Sequence, residues 1–461
     1  MKNNKHIFKY TFLILSIMCC LLIIVTYIMH DSINLNSKIF YSAPNVLVNS
    51  DSSNNVSSSA YADNNTQTNL LASIPMVDSS TDISTTNLSK DATTDNTINK
   101  QQPQEVQSPK EEPVLVPSIT ISAVGDIMVH QSNLNNAYNP KTRTYDFSGF
   151  LEYVSPYLES SDLTIGNFET VTAGPNSGYT SFPKFNTPDA ILPALANAGF
   201  DVLSTANNHC LDRGVNGLTR TIKKITENKM INVGSSIDGK NKYITKEING
   251  IKISMLSYSY AFNGNDASLN SKQKSNYLSP INETQIKKDI ETVKAQGTDA
   301  VIVIIHWGTE YQRTPNTSQT SLAKKMLTWG ADIILGSHPH VVQKSEIVKI
   351  NGKNKFVIYS MGNFISGYRR SDTAKRPNKI YTEDGVIVQL KLEKDPQGGV
   401  ILKNADYIPT WVDKNYVNNR PVFKIIPIPD ANIKEPYITN KNREFVKQSY
   451  KNTMSIMAKF K

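Results

Sequence analysis

Cysteine is scarce in this chain, whose 461 residues contain only three. Cys19 and Cys20 lie inside an apolar N-terminal stretch, so Cys210 is the single cysteine in the rest of the chain. A lone cysteine cannot form an internal disulfide, which excludes the small, disulfide-stapled class of extracellular domain. Any folded domain here must be held together by an ordinary hydrophobic core.

A strong charge imbalance is also missing. Lysine and arginine number 49 against 40 aspartates and glutamates, and basic runs such as Lys223-Lys224 and Arg369-Arg370 are short. No stretch interleaves basic and aromatic residues in the manner of a nucleic-acid-binding surface. We therefore expect no nucleic-acid partner. The net charge of +9 is compatible with an anionic polymer as partner or with an ordinary solvated surface.

One long apolar run stands at the N-terminus. Lys2, Lys5 and Lys9 precede an uncharged stretch from Tyr10 to His30, which is long enough to cross a bilayer as a helix. Because lysines stand before this stretch and not shortly after it, we expect residues 1–30 to form a cytoplasmic N-terminus and a transmembrane signal-anchor. The protein would then be a single-pass cell-membrane protein with its main domain extracytoplasmic. Cleavage of the segment as a signal peptide is the alternative.

Composition divides the remainder of the chain. Residues 31–117 are rich in Ser, Asn, Thr and Asp, and such a segment cannot bury enough apolar surface to offset its ordering entropy. We predict a disordered linker there, spanning on the order of 50 Å. The main domain is placed at 118–412, and residues 413–461 are predicted to be a C-terminal extension that packs on it.

From Ser118 onward, apolar strands alternate with amphipathic helices, which predicts an α/β fold. Strands predicted at Ile119–Val124 and Ala300–Ile305 lead directly towards polar residues, and later antiparallel strands are predicted at Val386–Leu392 and Val400–Asp406. Ligands of α/β proteins bind at the carboxyl ends of the strands. Polar residues far apart in sequence should therefore meet at one rim.

Histidine is sparse as well, but it is concentrated at those strand ends. Five of the seven histidines occur in four short segments: GDIMVH (Gly125–His130), ANNHCLD (Ala206–Asp212), IIHWGTE (Ile304–Glu310) and GSHPHV (Gly336–Val341). Each stands close to Asp, Asn, Glu or another His. Neutral imidazole and carboxylate are the usual ligands of catalytic divalent metals. The pattern indicates a metal site.

Six motifs in a fixed order extend this interpretation: GDIM, GNFE, ANNHCLDRG, HWGTEY, GSHPHVVQ and YSMGNF. Together they resemble the CapA family, also called PgsA, of capsule and poly-γ-glutamate synthesis proteins, within the calcineurin-like metallophosphoesterase superfamily. The resemblance spans roughly Ile119 to Val412 and includes FNTP (Phe185–Pro188) and PTWV (Pro409–Val412). It implies a layered, metallophosphatase-like α/β sandwich.

The resemblance also implies a ligand set. One or two divalent ions, Mn, Fe, Zn or Co, would be held by six side chains: Asp126, Glu169, Asn208, His306, His338 and His340. The catalytic residues would be His209, which faces the substrate, and Asp212. Three further side chains would contact the substrate or support the ligands: Asn167, Asn363 and His130. Such a site polarises a phosphoester and supplies a nucleophile near neutral pH.

The chain departs from the superfamily pattern at two of these motifs. Met128 stands where the first motif carries a histidine, and His130 follows two residues later. On an extended segment His130 could share the face of Met128 and substitute for it, or it could point outward. The second motif carries Asn167 and Glu169 in place of the usual Asp pattern.

Two functions of different classes are compatible with the resemblance. The first is a membrane-anchored extracytoplasmic protein that acts in synthesis, export or anchoring of a poly-γ-glutamate capsule through a metal-dependent hydrolase-type site. The alternative is a non-catalytic accessory subunit of a polyglutamate synthase or export complex, whose fold serves structure or polymer binding. The expected partners are membrane-bound synthase subunits and an anionic polymer.

Overall fold

The computed structural model of the protein describes residues 116–240, 242–371 and 377–460. The predicted signal-anchor and all but the last two residues of the predicted linker lie outside these ranges. Within the ranges, no helix is both long enough and apolar enough to cross a membrane.

Strands and helices alternate through the described chain. The strands are β1 (Ser118–Ile127), β2 (Tyr138–Asn139), β3 (Thr144–Tyr145), β4 (Leu163–Phe168), β5 (Val202–Ser204), β6 (Ile231–Val233), β7 (Tyr243–Ile248), β8 (Ile251–Ser259), β9 (Ala300–His306), β10 (Ile333–Ser337), β11 (Ser345–Ile350), β12 (Lys353–Ile358), β13 (Asn363–Ile365), β14 (Asp384–Lys394), β15 (Val400–Val417) and β16 (Arg420–Pro427). The helices are α1 (Gln131–Ala137), α2 (Ser148–Leu151), α3 (Ser155–Glu159), α4 (Ile191–Asn197), α5 (Gly214–Glu227), α6 (Ser271–Tyr277), α7 (Glu283–Ala295), α8 (Thr317–Trp329) and α9 (Arg443–Met454).

The strands form two large mixed sheets. The first has the order β16-β15-β14-β1-β4-β5-β6, with β13 beside the end of β1. Strands β1, β4, β5 and β6 are parallel, and β14 to β16 continue the sheet antiparallel. The second has the order β11-β12-β10-β9-β8-β7, in which the four central strands are parallel. A separate hairpin pairs β2 with β3.

The two sheets pack face to face, since one core cluster joins side chains of both, including Ile121 of β1 and Ile302 of β9, which are fully buried. Helices α1 to α4 contribute to the core on the outer face of the first sheet, and α7 and α8 to that of the second. Truncating Ile302 to alanine would cost about 2–5 kcal/mol of stability. The predicted layered α/β architecture is confirmed, with two sheets between the helices.

The C-terminal strands are longer and more integral than the sequence pattern indicates. The strand predicted at Val400–Asp406 continues to Val417, so the boundary predicted after residue 412 falls inside it. The end of β15, all of β16 and helix α9 come from residues 413–460. This part of the chain completes one edge of the first sheet.

Candidate metal centre

The carboxyl ends of β1 and β4 bring the first polar residues together. Asp126 lies opposite Asn167 in the parallel register and opposite Asn363 on the other side. Its fully buried carboxylate accepts a hydrogen bond from Asn167 Nδ2 at 2.8 Å and one from His340 Nδ1 at 2.9 Å. The parallel register therefore places a carboxylate and its supporting amide at the same level.

The second sheet supplies the histidines. His306 is the last residue of β9, and His338 and His340 follow the end of β10, whose Ser337 pairs with His306. Both His338 and His340 have positive φ angles, 98° and 57°. Backbone in this region is costly for residues other than glycine, and such strain concentrates at functional sites. The turn brings a ring nitrogen of each histidine close to Glu169.

Glu169 lies between the two groups of ligands. It is fully buried, and neither carboxylate oxygen accepts a hydrogen bond from a described residue. Two sets of donor atoms converge on it, Glu169 with His306 and His338, and Glu169 with Asp126 and His340; within each set the atoms lie within 4.8 Å of one another. A carboxylate shared by two sets would be a ligand common to both if each held a cation.

Asn208 joins the set that contains His306. Its Oδ1 atom lies 2.8 Å from His306 Nε2, and the same imidazole nitrogen is 3.4 Å from Glu169 Oε1. All six side chains predicted as ligands are therefore gathered at one point of the fold. Three of them belong to the first sheet: Asp126 in β1, Glu169 after β4 and Asn208 after β5. The three histidines belong to the second sheet and the turn that follows β10.

The electrostatics of this cluster suit a cation. Burial, and then the neighbouring Asp126, raise the pKa of the Glu169 carboxyl well above its usual value. Burial and the nearby histidines lower the pKa of His306 and His338 well below theirs. The imidazoles of His306 and His338 are thus neutral, as metal ligands must be. A divalent cation would remove the electrostatic cost of a charged Glu169. The residues present fit a divalent metal.

His209 and Asp212 form a separate pair beside the ligands. His209 Nδ1 donates to Asp212 Oδ2 at 2.7 Å, and the same carboxylate oxygen accepts the backbone N–H of Phe185 at 2.7 Å. The Phe185 ring packs edge-on against His209, with centroids 4.8 Å apart. The hydrogen bond to Asp212 places the proton of the neutral His209 ring on Nδ1 and leaves Nε2 available to a substrate.

The supporting residues occupy different places. Asn167 contacts Asp126 and, at 3.2 Å, His306 Nδ1, so it orients two ligands. Asn363 Nδ2 donates to the backbone carbonyls of His340 and Thr382 and secures the turn that carries His340.

His130 stands apart from the ligands. Its Nδ1 accepts the Gly367 backbone N–H at 3.0 Å, and its ring packs against Phe185 and Tyr368. It belongs to neither group of converging donor atoms.

Three residues of the site were not predicted. Tyr260 follows β8 and packs its ring on His338, with centroids 4.4 Å apart. Asn207 joins the loops by donating to Phe168 O and accepting the His209 N–H. Tyr368 contacts both His130 and His340. Tyr260 and Asn207 carried a signal in the sequence, since Tyr260 directly follows an apolar strand and Asn207 stands in the ANNHCLD segment.

Comparisons with known sequences place this site in a family context. The family model described as "Bacterial capsule synthesis protein PGA_cap" matches residues 120–368, a range that contains every predicted ligand. The chain is 33% identical over 287 residues to "Capsule biosynthesis protein CapA" of Bacillus anthracis, covering 59% of this chain and 64% of that one. It is 30% identical over 295 residues to "PGA biosynthesis protein CapA" of Bacillus subtilis (strain 168), covering 61% of this chain and 69% of that one. The chain thus spans about two thirds of the length of these relatives.

Solved structures give more distant matches. A calcineurin-like phosphoesterase of Bacillus subtilis, YfkN, matches with 16% identity and a TM-score of 0.42, covering 74% of this chain and 98% of that one. The NAD nucleotidase NadN of Haemophilus influenzae matches with 13% identity and a TM-score of 0.39, covering 74% and 64%. These matches are weak, and the fold is established by the strand order of the two sheets.

Proposed function

The chain belongs to the bacterial capsule synthesis protein family, and we propose that it acts in synthesis, export or anchoring of a poly-γ-glutamate capsule through a divalent-metal hydrolase-type site. The observation that carries the enzymatic part is Glu169, a buried carboxylate without a hydrogen-bond donor among the described residues, shared by two sets of converging ligands. A buried charge of this kind is costly unless a cation compensates it.

The ligands divide between two positions. Asp126, Glu169 and His340 would hold one ion, and Glu169, Asn208, His306 and His338 the other. Mixed nitrogen and oxygen ligands suit Mn, Fe, Zn or Co. When bound, such ions supply Lewis acidity at an ester or amide oxygen and lower the pKa of an attacking water. Asn167 and Asn363 keep the ligands in place through the hydrogen bonds described above.

His209 is positioned for proton transfer. Its Nδ1–H donates to Asp212, so the unprotonated Nε2 can take up a proton and return it to a leaving group. Asp212 in turn is held by the Phe185 N–H, which prevents its rotation away from the imidazole. The pair therefore acts as an acid–base group distinct from the metal ligands.

His130 would bind the substrate rather than the metal. Because its Nδ1 accepts the Gly367 N–H, the proton of the neutral ring resides on Nε2, which is buried and has no acceptor in the described part of the chain. A Cβ atom on Gly367 would lie 2.5 Å from His130 Cβ, so glycine is required for this approach. The rings that flank His130 also contact His209 and His340. An anionic substrate oxygen would satisfy the Nε2–H donor.

Two wider aspects complete the proposal. The domain is held at the outer face of the cell membrane by the N-terminal segment, and membrane-bound polyglutamate synthase subunits are its partners. The apolar N-terminal run supports the membrane location, and the family supports the partners. The relatives named above are described by their part in capsule or polymer biosynthesis.

That description also favours a second candidate, a non-catalytic accessory subunit of the synthase or export complex. The two candidates differ in what His209→Ala does. Purified full-length protein should be assayed for metal content and for cleavage of poly-γ-glutamate and phosphoester substrates. Cells carrying His209→Ala should be scored for polymer formation. Normal polymer formation by this variant would support the accessory role, whereas loss of both cleavage and polymer would support the enzyme.

A further inference from the structure

A groove lined by charged and aromatic side chains lies beside the metal centre. Its volume is about 680 Å³, and its walls are the far end of β15, the start of β16 and the residues that lead into α9. No residue of the proposed catalytic site lines it.

Strand register places the groove at the same edge of the first sheet as the metal centre. Ala123 of β1 pairs with Val388 of the antiparallel β14. Four residues from this pair, Asp384 at the start of β14 is therefore level with Ile127 at the end of β1. Asp384 pairs with Trp411, and β15 continues to Val417 beyond that point. The groove is therefore formed where β15 and β16 project past the carboxyl end of β1.

One segment of the chain connects the two places. Tyr368 packs its ring 5.6 Å from that of His340, and the next two residues, Arg369 and Arg370, line the groove. A linear molecule that follows this segment would extend from the groove to the metal ligands.

The charge of the lining is predominantly positive. Five cationic side chains face two acidic ones, Glu383 and Asp413; the cations are Arg369, Arg370, Lys414, Lys424 and Lys441. Glu383 accepts from Arg370 Nε at 2.5 Å and from Trp411 Nε1 at 2.8 Å, so it holds the arginine against the wall. Lys414 and Lys441 form no ion pair with an acidic residue of the described ranges. Lys424 pairs with Glu152, so the surplus of positive charge in the lining comes from Lys414 and Lys441.

Aromatic rings keep these cations in place. Arg370 lies over Phe445 at 5.0 Å, and Lys424 lies over Tyr153 at 5.3 Å. Tyr153 stacks on Tyr437 with centroids 4.5 Å apart, and Trp411 stacks on Phe445. Side chains held in this way lose less conformational freedom when a ligand binds.

We propose that this groove binds a stretch of a linear polycarboxylate chain and directs it towards the metal centre. Regularly spaced carboxylates would pair with the lysines and arginines, and the apolar parts of the chain would lie against the stacked rings. The inference rests on the proposed function for the nature of the polymer, but the binding itself does not require bound metal.

The test compares two triple variants of the full-length protein that remove the same charge. The groove variant carries Lys414→Gln, Lys424→Gln and Lys441→Gln. The control variant carries Lys246→Gln, Lys287→Gln and Lys324→Gln, three exposed lysines of β7, α7 and α8 that are not in the groove lining. Binding of fluorescently labelled poly-γ-glutamate is measured by anisotropy, with polyphosphate of equal charge as a second probe and thermal melts as a folding control.

We expect the groove variant to bind the polycarboxylate at least tenfold more weakly than wild type, and the control variant to differ by less than twofold. Equal weakening in both would show general attraction to net charge and overturn the proposal, as would no weakening in either. Tighter binding of polyphosphate than of polyglutamate would overturn the carboxylate assignment. His338→Ala separates this from the proposed function, because it should lose metal yet keep polymer binding.

Discussion

The Nε2 atom of His306 lies 3.4 Å from Oε1 of Glu169, and no described residue donates a hydrogen bond to that carboxylate. A neutral imidazole and an acceptor-only carboxylate have no attraction of their own at this distance unless a proton or a cation lies between them. The relationship joins the two sheets, since His306 ends β9 and Glu169 follows β4. We propose that the two side chains belong to the ligands of a divalent cation.

The pH dependence of stability should reveal Glu169 in metal-free protein. Because burial and Asp126 raise its folded pKa, the fold favours the neutral acid. This stabilisation is complete below the unfolded pKa, about 4.3, and is lost as the pH rises towards the folded value. Glu169→Gln should therefore raise the melting temperature relative to wild type more at pH 8 than at pH 5.

The histidines oppose this trend, because their lowered pKa values stabilise the fold above about pH 6.5. They are present in both proteins, so the difference between the two melting curves isolates Glu169. Added metal should reverse the order and stabilise only wild type, by about 2.7 kcal/mol at a hundred times Kd. A difference independent of pH would contradict the account of Glu169.

Variants of the metal ligands and of the acid–base histidine should differ in metal content. His338→Ala and His340→Ala remove ring nitrogens that converge on Glu169, so bound metal should fall sharply while the domain stays folded. His209→Ala should keep its metal and lower turnover by about 10²–10⁴-fold, because its ring is held by Asp212 outside both ligand sets. Metal content by mass spectrometry and circular dichroism on the same samples decide between the roles. Full metal content in both ligand variants would be incompatible with the site.

His130 should affect substrate and leave metal unchanged. His130→Phe removes the Nε2–H donor, and a hydrogen bond to a charged group is worth about 1.5–3 kcal/mol, so inorganic phosphate should bind metal-loaded protein about 10–100-fold more weakly. His130→Gln can accept from Gly367 and still donate, so it should restore most of the binding. Gln131→Ala, an exposed neighbour, is the matched control. Loss of metal from His130→Phe would make His130 a ligand instead.

The boundary near Pro117 predicts a pattern of proteolysis. Residues 31–117 lack the composition of a core, whereas β1 begins at Ser118 inside the first sheet. Limited protease should cut throughout 31–117 and leave a resistant fragment that starts close to Pro117, identifiable by mass. Slow cleavage across 31–117 would place the boundary elsewhere.

The ligand positions could be predicted because each lies at or shortly after the carboxyl end of an apolar strand, as Asp126 lies near the end of β1 and His306 ends β9. Parallel strands present such ends at one edge, whatever their separation in sequence. The site's aromatic neighbour Tyr368 could not be found in this way, since its contact with His340 depends on how loops fold over that histidine.

The groove could not be predicted for a related reason. Tyr153, Trp411 and Phe445 meet only after β14, β15 and β16 are paired in a particular register. The strand β15 itself was predicted too short, because Tyr407 to Val417 mixes polar and apolar residues and lacks a regular alternation. Its outer part is stabilised by pairing with β16, a long-range contact without a local signature.

The metal content of purified full-length protein, measured by inductively coupled plasma mass spectrometry beside Glu169→Gln, tests the central claim most directly. The account predicts one or two Mn, Fe, Zn or Co ions per wild-type chain and a clear loss in the variant, because Glu169 is shared by both ligand sets. Wild-type protein that stays metal-free after incubation with each of these ions, or a Glu169→Gln variant that binds as much metal as wild type, would contradict it.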